Sequence, residues 1–180
     1  MSDARSHFVR RGSERIGPSH VTARRVYTRR ILFWGCFSSL GVGPLVPLEG
    51  TVNAILYQQI LQSHLRPTAL QWFRHRQWWY QHDNAPAHNA ASTKQWLEDH
   101  RVRVIEWPPY SPDLNPIENL WAILKQEIHR ECLTNREEVV ERAVAIWNSP
   151  TFQNHCRRLV ASMHQRCFDC VRFRGGPTGY

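Results

Sequence analysis

The stretch 107–121, "WPPYSPDLNPIENLW", places four prolines within nine residues and then opens a run with helical spacing. Proline fixes φ and carries no N–H donor, so this stretch can be neither central strand nor helix interior before Asn115. Two readings fit the start of the helical run. In the first, Asn115 is an N-cap, Pro116 the first helical residue and Glu118 the third, a capping box of the Asn-x-x-Glu type whose glutamate also gains from the helix dipole. In the second, the stiff loop aims the Glu118 carboxylate at a ligand.

The rest of the chain alternates strand and helix signals around this loop. "RRILFWGCFSS" and "GPLVPLEG" predict two strands joined by "LGVG", a hairpin with glycine where positive φ is useful. "TVNAILYQQILQSHL" has Val52, Ile55, Leu56, Ile60 and Leu61 at helical spacing, with Pro67 set to end it. "QWWYQHD" predicts a short aromatic strand ending at Asp83, "NAPAHNAASTKQWLED" a turn and helix, and "VRVIEW" another strand, which together imply a parallel pair with a crossover. From Asn115 the chain reads as helical, with Ile117, Leu120, Trp121, Leu124 and Ile128 on one stripe and Glu118, Lys125 and His129 off it. Thr134 with Glu137 predicts a capping box opening a helix to about Ser149, and a further helix follows Pro150. The fold class this implies is α/β, a mixed sheet with flanking helices in one domain spanning residues 1–180.

Composition narrows the function classes. A formal charge of +8 with 42% apolar residues and eight tryptophans describes a folded chain with a polyanionic partner. Lys94 and Lys125 are the only lysines; the remaining bases are arginines, which pair with phosphate bidentately. Residues 31–48 carry no charge, but their glycines, prolines and serines suit a hairpin better than a membrane helix, so no membrane segment is expected. The arginine-rich residues 1–30 resemble a transit peptide in composition, yet Gly12, Gly17 and Pro18 interrupt any amphipathic helix there. Five cysteines, an odd count, predict reduced thiols; Cys167-x-x-Cys170 with His155, Cys156 and His164 nearby is a weak zinc pattern.

Asp83 ends a predicted strand, where ligands bind in open α/β sheets, but Asp83-Asn84-Ala85-Pro86 also reads as a plain turn. His82 and His88 flank it as candidate ligands. The combination of "WWYQHDNAPAH", 34 intervening residues between Asp83 and Glu118, and "WPPYSPDLNPIENLWAILK" resembles the mariner superfamily of DNA transposases. "WGCFSSLGVGPLVPLEGTVNAILYQQIL" is similar to that family's hairpin and first helix, and "CRRLVASMHQRCFDCVRFRGGPTGY" to its C-terminal end. The resemblance implies a ribonuclease-H-like fold, with Asp83 and Glu118 as second and third carboxylates of an Asp, Asp, Glu triad. It implies Mg²⁺ or Mn²⁺, in the two-metal arrangement that clamps attacking and leaving oxygens with ions about 3.5–4 Å apart.

The candidate for the first carboxylate is Asp3, in Ser2-Asp3-Ala4 where the family has Ser-Asp-Glu. So close to Met1 there is little room for the central first strand that should carry it. The expectation is therefore a truncated first strand, no N-terminal helix-turn-helix DNA-binding region, and reduced activity. Metal-dependent DNA cleavage and strand transfer is the leading function. The alternative is a catalytically dead, transposon-derived remnant that binds nucleic acid. DNA is the expected partner, through arginines 10, 11, 15, 24, 25, 29 and 30, with a homodimer compatible and the nucleus as the site of action.

Overall fold

The computed structural model describes Tyr27 and residues 29–180. Asp3 and arginines 10, 11, 15, 24 and 25 therefore lie outside the described residues, as does the expected truncated first strand. Strands β1 (Leu32–Ser38) and β2 (Gly41–Leu48) pair antiparallel, with Leu32 opposite Leu48 and a register shift between Gly35 and Phe37. The alternation of a strand sends successive side chains to opposite faces. Trp34 and Cys36 enter one core with Tyr57, Ile60, Leu61, Leu97 and Val102. Phe33, Phe37 and Leu45 enter the other, with Leu120, Leu124, Ala143, Ile146, Trp147 and Phe152.

Each core is closed by helices. On the first face lie α1 (Ala54–Ile60), a π-helical turn (Leu61–Leu65), α2 (Arg66–Phe73), α3 (Pro86–Asn89) and α4 (Ala91–Asp99). The second face is covered by α5 (Ile117–His129), α6 (Arg136–Trp147) and α7 (Pro150–Arg172). The stripe read from the sequence faces inward: Leu120 and Leu124 are buried, and Ile117, Trp121 and Ile128 pack beside them.

Several local expectations are corrected. The helix beginning at Ala54 does not stop before Pro67 but continues to Phe73. The π turn makes this possible: Arg66 N–H donates to Leu61 O, five residues back, and Pro67 falls in the first turn of α2, where a missing N–H costs little. Thr68 Oγ1 donates to His64 O at 2.7 Å, satisfying a carbonyl there. The predicted helix after Asp83 is broken at Ala90, whose ψ of 139° separates α3 from α4.

The two predicted strands after the first helices shrink to one parallel bridge, Tyr80 to Val104, with Tyr80 N–H on Arg103 O (2.7 Å) and Ile105 N–H on Tyr80 O (2.9 Å). Among the described residues no backbone hydrogen bond joins this bridge to β1, so the sheet stands in two parts. Side chains span them instead, since Trp34, Cys36, Tyr57, Tyr80 and Val104 share the first core.

Candidate active site

Asp83 sits just beyond the Tyr80 bridge, where the chain turns into α3. Ala85 N–H donates to Asp83 Oδ1 at 3.0 Å, so the turn reading of this residue is correct as local structure. His88 Nδ1 lies 2.6 Å from the same oxygen, and no hydrogen bond among the described residues uses Oδ2. The His88 bond is the main cause that holds the Asp83 carboxyl below its ordinary range, opposed by partial burial. One carboxylate oxygen is thus fixed by the protein, while the side chain remains half exposed.

His88 is itself held by rings. It stacks on Tyr57 at 4.0 Å and on His82 at 5.0 Å, nearly parallel at 9°. His82 Nδ1 is 2.9 Å from Tyr57 Oη, which is 3.0 Å from Tyr80 Oη. Burial, with the charge of His88 second, pushes His82 down to about 4, so it is neutral at physiological pH. The two histidines considered as ligands are therefore committed through Nδ1 to Tyr57 and to Asp83. Among the described residues no group of three or more His, Cys, Asp or Glu side chains surrounds a common point, and this includes the C-terminal cysteines. Cys167 and Cys170 lie on α7 as free thiols, the first exposed.

Glu118 stands in the first turn of α5, and the expected capping box is not formed. The helix begins after Pro116 without a side-chain cap, and Glu118 N–H donates to the Asn115 backbone oxygen at 3.1 Å. The Asn115 side chain is buried and turned elsewhere: its Oδ1 accepts from Gln81 Nε2 at 2.9 Å. That bond ties the segment carrying Asp83 to the loop carrying Glu118. A second tie runs from Asn84 Nδ2 to Trp107 O at 2.9 Å. The capping box read at Thr134 is likewise displaced by one residue, because Asn135 caps α6 and Glu138 reaches back to Thr134.

Asp83 and Glu118 line one open cleft of ≈ 360 Å³, together with Asn84, Trp107, the proline loop and Asn115. Among the described residues no lysine or arginine lines it, and its ionisable side chains there are Asp83, Glu118 and the Tyr110 phenol. Loss of hydration in the cleft, followed by the charge of Asp83, raises the Glu118 pKa. Two carboxylates that share a cleft, Asp83 partnered by His88 on one oxygen only and Glu118 destabilised as an anion by Asp83, fit a hard divalent ion, which prefers oxygen ligands. A second cleft of ≈ 540 Å³, lined by His82, His88 and Lys94, shares Asn84 and Trp107 with the first.

Several organising residues were not visible in the sequence. Asp113, in the same motif as Glu118, has its carboxylate taken by Thr178, whose N–H and Oγ1 both donate to Oδ2 at 2.9 Å. Tyr110 stands on the rim of the cleft, fully exposed and with φ of 54°, a left-handed backbone uncommon for a residue with a Cβ. Neither the Gln81–Asn115 bond nor the Thr178–Asp113 bond has a local spacing that signals it.

The fold and cleft describe an α/β domain with helices on both faces and paired acids at the end of a parallel bridge, the class of ribonuclease-H-like domains. A family model described as DDE superfamily endonuclease matches residues 9–140. The chain is 35% identical over 153 residues to the Tcb1 transposase of Caenorhabditis briggsae, covering 83% of this chain and 54% of that protein. It superimposes on the catalytic domain of Mos1 transposase, solved with Raltegravir and Mg, with a TM-score of 0.74, 25% identity, and coverage of 81% of this chain and 76% of that one. A Mos1 paired-end complex with the left transposon end gives a TM-score of 0.72 at 22% identity, over 96% of this chain and 54% of that one. The chain belongs to the DDE endonuclease superfamily and is a transposase catalytic domain of the mariner type. It spans about half the length of the curated relatives it matches. Asp3 falls outside the matched residues.

Proposed function

We propose that this domain carries out metal-dependent phosphoryl transfer on DNA, cleaving and joining strands during transposition, with Asp83 and Glu118 as its metal-binding carboxylates. The observation that carries the reading is their convergence, from segments far apart in sequence, on one cleft whose described lining has no lysine or arginine. Asp83 Oδ1 is occupied by His88 and Ala85, so Oδ2 is the oxygen for a cation. Glu118 contributes from the first turn of α5, held against the Asp83 segment by the Gln81–Asn115 bond. A bound Mg²⁺ or Mn²⁺ would polarise the phosphoryl oxygens and neutralise charge developing at phosphorus. Both metals accompany solved Mos1 catalytic domains, which supports the choice of ion.

DNA is the proposed partner, since Mos1 has been solved with a transposon end and this chain carries an excess of arginine. Exposed Arg29 and Arg30 would contribute phosphate contacts, and the site of action would be the nucleus. Residues 1–180 are proposed to form one catalytic domain, with a homodimer as the compatible assembly. Asp3 is the proposed first carboxylate of the triad; without it held in place, a single ion binds and cleavage is weak. The test is a labelled duplex incubated with the chain and Mg²⁺ or Mn²⁺. The expected result is slow, metal-dependent nicking that Asp83→Ala and Glu118→Ala each abolish, since losing a ligand costs several kcal/mol, roughly a thousandfold in rate. Nicking that survives Asp83→Ala refutes the assignment. Duplex binding with no nicking at any metal concentration would favour the non-cleaving remnant.

A further inference from the structure

Arg166 is the one fully buried charged side chain among the described residues, at 1% exposure. Among the described residues no carboxylate lies within ion-pair distance of it, although the charges of Tyr180 and Asp113 act on it from farther away. Burying a charge without a direct ion pair is expensive, and an apolar residue of similar size would pack at less cost. The guanidinium is instead spread over three neutral acceptors. Nη1 donates to Asp113 O at 2.6 Å, Nη2 to Asn119 Oδ1 at 2.8 Å, and Nε to Ser162 Oγ at 3.0 Å. Two of these acceptors bracket Glu118: Asp113 lies in the short 3-10 turn Pro112–Leu114 before it, and Asn119 is its neighbour in the first turn of α5. Arg166 therefore spans from α7 to both ends of the segment that presents Glu118.

The segment 176–180 closes over this contact. The Tyr180 ring centroid lies 4.2 Å from Arg166 Cζ, a cation–π contact on the guanidinium face. Thr178, itself buried, grips the Asp113 carboxylate twice, while Asp113 offers its backbone oxygen to Arg166. Asp113 is thus held by both partners at once. A planar fork reaching fixed acceptors is what arginine offers and lysine does not.

We infer that Arg166 is a positioning residue for Glu118, and that Thr178 and Tyr180 are the lid that keeps it in place. The inference rests on the metal-site reading above and adds that the far end of the chain sets how well that site binds its ion. Outer contacts of this kind hold a ligand's orientation, and their loss typically costs about 10–100-fold in metal affinity. None of the hydrogen bonds of this clamp reaches Asp83, so the effect enters through Glu118.

The experiment uses the full 180-residue chain and its Arg166→Lys, Tyr180→Ala, Tyr180→Phe and Asp83→Ala forms. Mn²⁺ affinity is measured by titration, and amide hydrogen exchange is followed at residues 111–120 and, as an internal reference, at 54–73. Tyr180→Ala and Arg166→Lys should weaken Mn²⁺ binding about tenfold or more and speed exchange at 111–120 while leaving 54–73 unchanged. Tyr180→Phe, which keeps the ring, should match the parent in both readouts. If Arg166→Lys fails to fold, the Tyr180 pair decides. Wild-type exchange at 111–120 in Tyr180→Ala overturns the clamp, as does Tyr180→Phe failing as badly as Tyr180→Ala. If Asp83→Ala binds Mn²⁺ as well as the parent, the metal-site reading falls, and local exchange alone then upholds or overturns the clamp.

Discussion

Gly35→Ala should destabilise the domain, although the same change in a strand ordinarily favours folding. Alanine loses less backbone entropy than glycine, worth roughly 0.5–1 kcal/mol in its favour. Gly35 does not have a positive φ, so nothing in its backbone demands glycine. Space does. A Cβ at this position would meet Trp121 Cη2 at 2.9 Å and Trp147 Cζ2 and Cη2 at 3.0 and 3.1 Å. These rings cannot move aside easily: they stack on each other at 5.1 Å, and Trp147 Nε1 donates to Gly43 O at 2.8 Å in the core. Overpacking of a rigid core costs about 1–3 kcal/mol, enough to outweigh the entropic gain. For a chain of this length, each kcal/mol lowers Tm by about 2–4 °C, readable by far-UV circular dichroism during heating or urea titration. Removing the obstacle with Trp121→Phe should make the second change compensatory, with a coupling of about 0.5–3 kcal/mol in a double-mutant cycle. A Gly35→Ala domain as stable as the parent, or additive with Trp121→Phe, would show that the stacked tryptophans do not constrain the hairpin as described. Trp121 lies one turn beyond Glu118, so the clash should also weaken metal binding.

Two further outcomes are expected at the site. Asn115→Ala leaves Gln81 without its partner and should cost about 1–3 kcal/mol in urea unfolding together with a loss of Mn²⁺ affinity; an unchanged affinity would mean that the Gln81–Asn115 bond does not align the two acids. His82 stays neutral in the folded chain down to about 4, whereas the unfolded chain protonates it near 6.5, so its contribution to stability is full above 6.5 and is lost as pH falls towards 4. The loss is on the order of 3 kcal/mol, and His82→Gln should flatten the stability profile over that window; a profile as steep as the parent's would contradict the buried neutral imidazole.

The sequence carried the site's two acids and most of its helices because those signals are local. The stripe from Ile117 to Ile128 repeats at helical spacing, and burial of Leu120 and Leu124 follows directly from it. The hairpin was legible for the same reason, its turn and apolar alternation lying within one short stretch. What was not legible depends mostly on partners distant in the chain, and at Pro67 on a local irregularity. Asn115 read as a cap because its own neighbours favour that, but its side chain goes to Gln81. Pro67 read as a stop because a π turn ahead of it leaves no pattern of its own. The strand at Tyr80 read as longer than it is, since a strand's length is set by its neighbours in the sheet. Arg166 looked like one basic residue among many, and only its acceptors at Asp113 and Asn119 distinguish it.

The most direct test of the central claim is Mn²⁺ titration of the parent chain, Asp83→Ala, Glu118→Ala and the double variant, with circular dichroism confirming that each is folded. If both acids hold one ion, each single change should reduce affinity at least tenfold, and the double change should be little worse than either alone. Affinity should also fall with acid earlier than for an isolated glutamate, because the raised pKa of Glu118 lets protons compete at higher pH. Single variants that bind as the parent does, or effects that simply add, would contradict a shared metal site at Asp83 and Glu118.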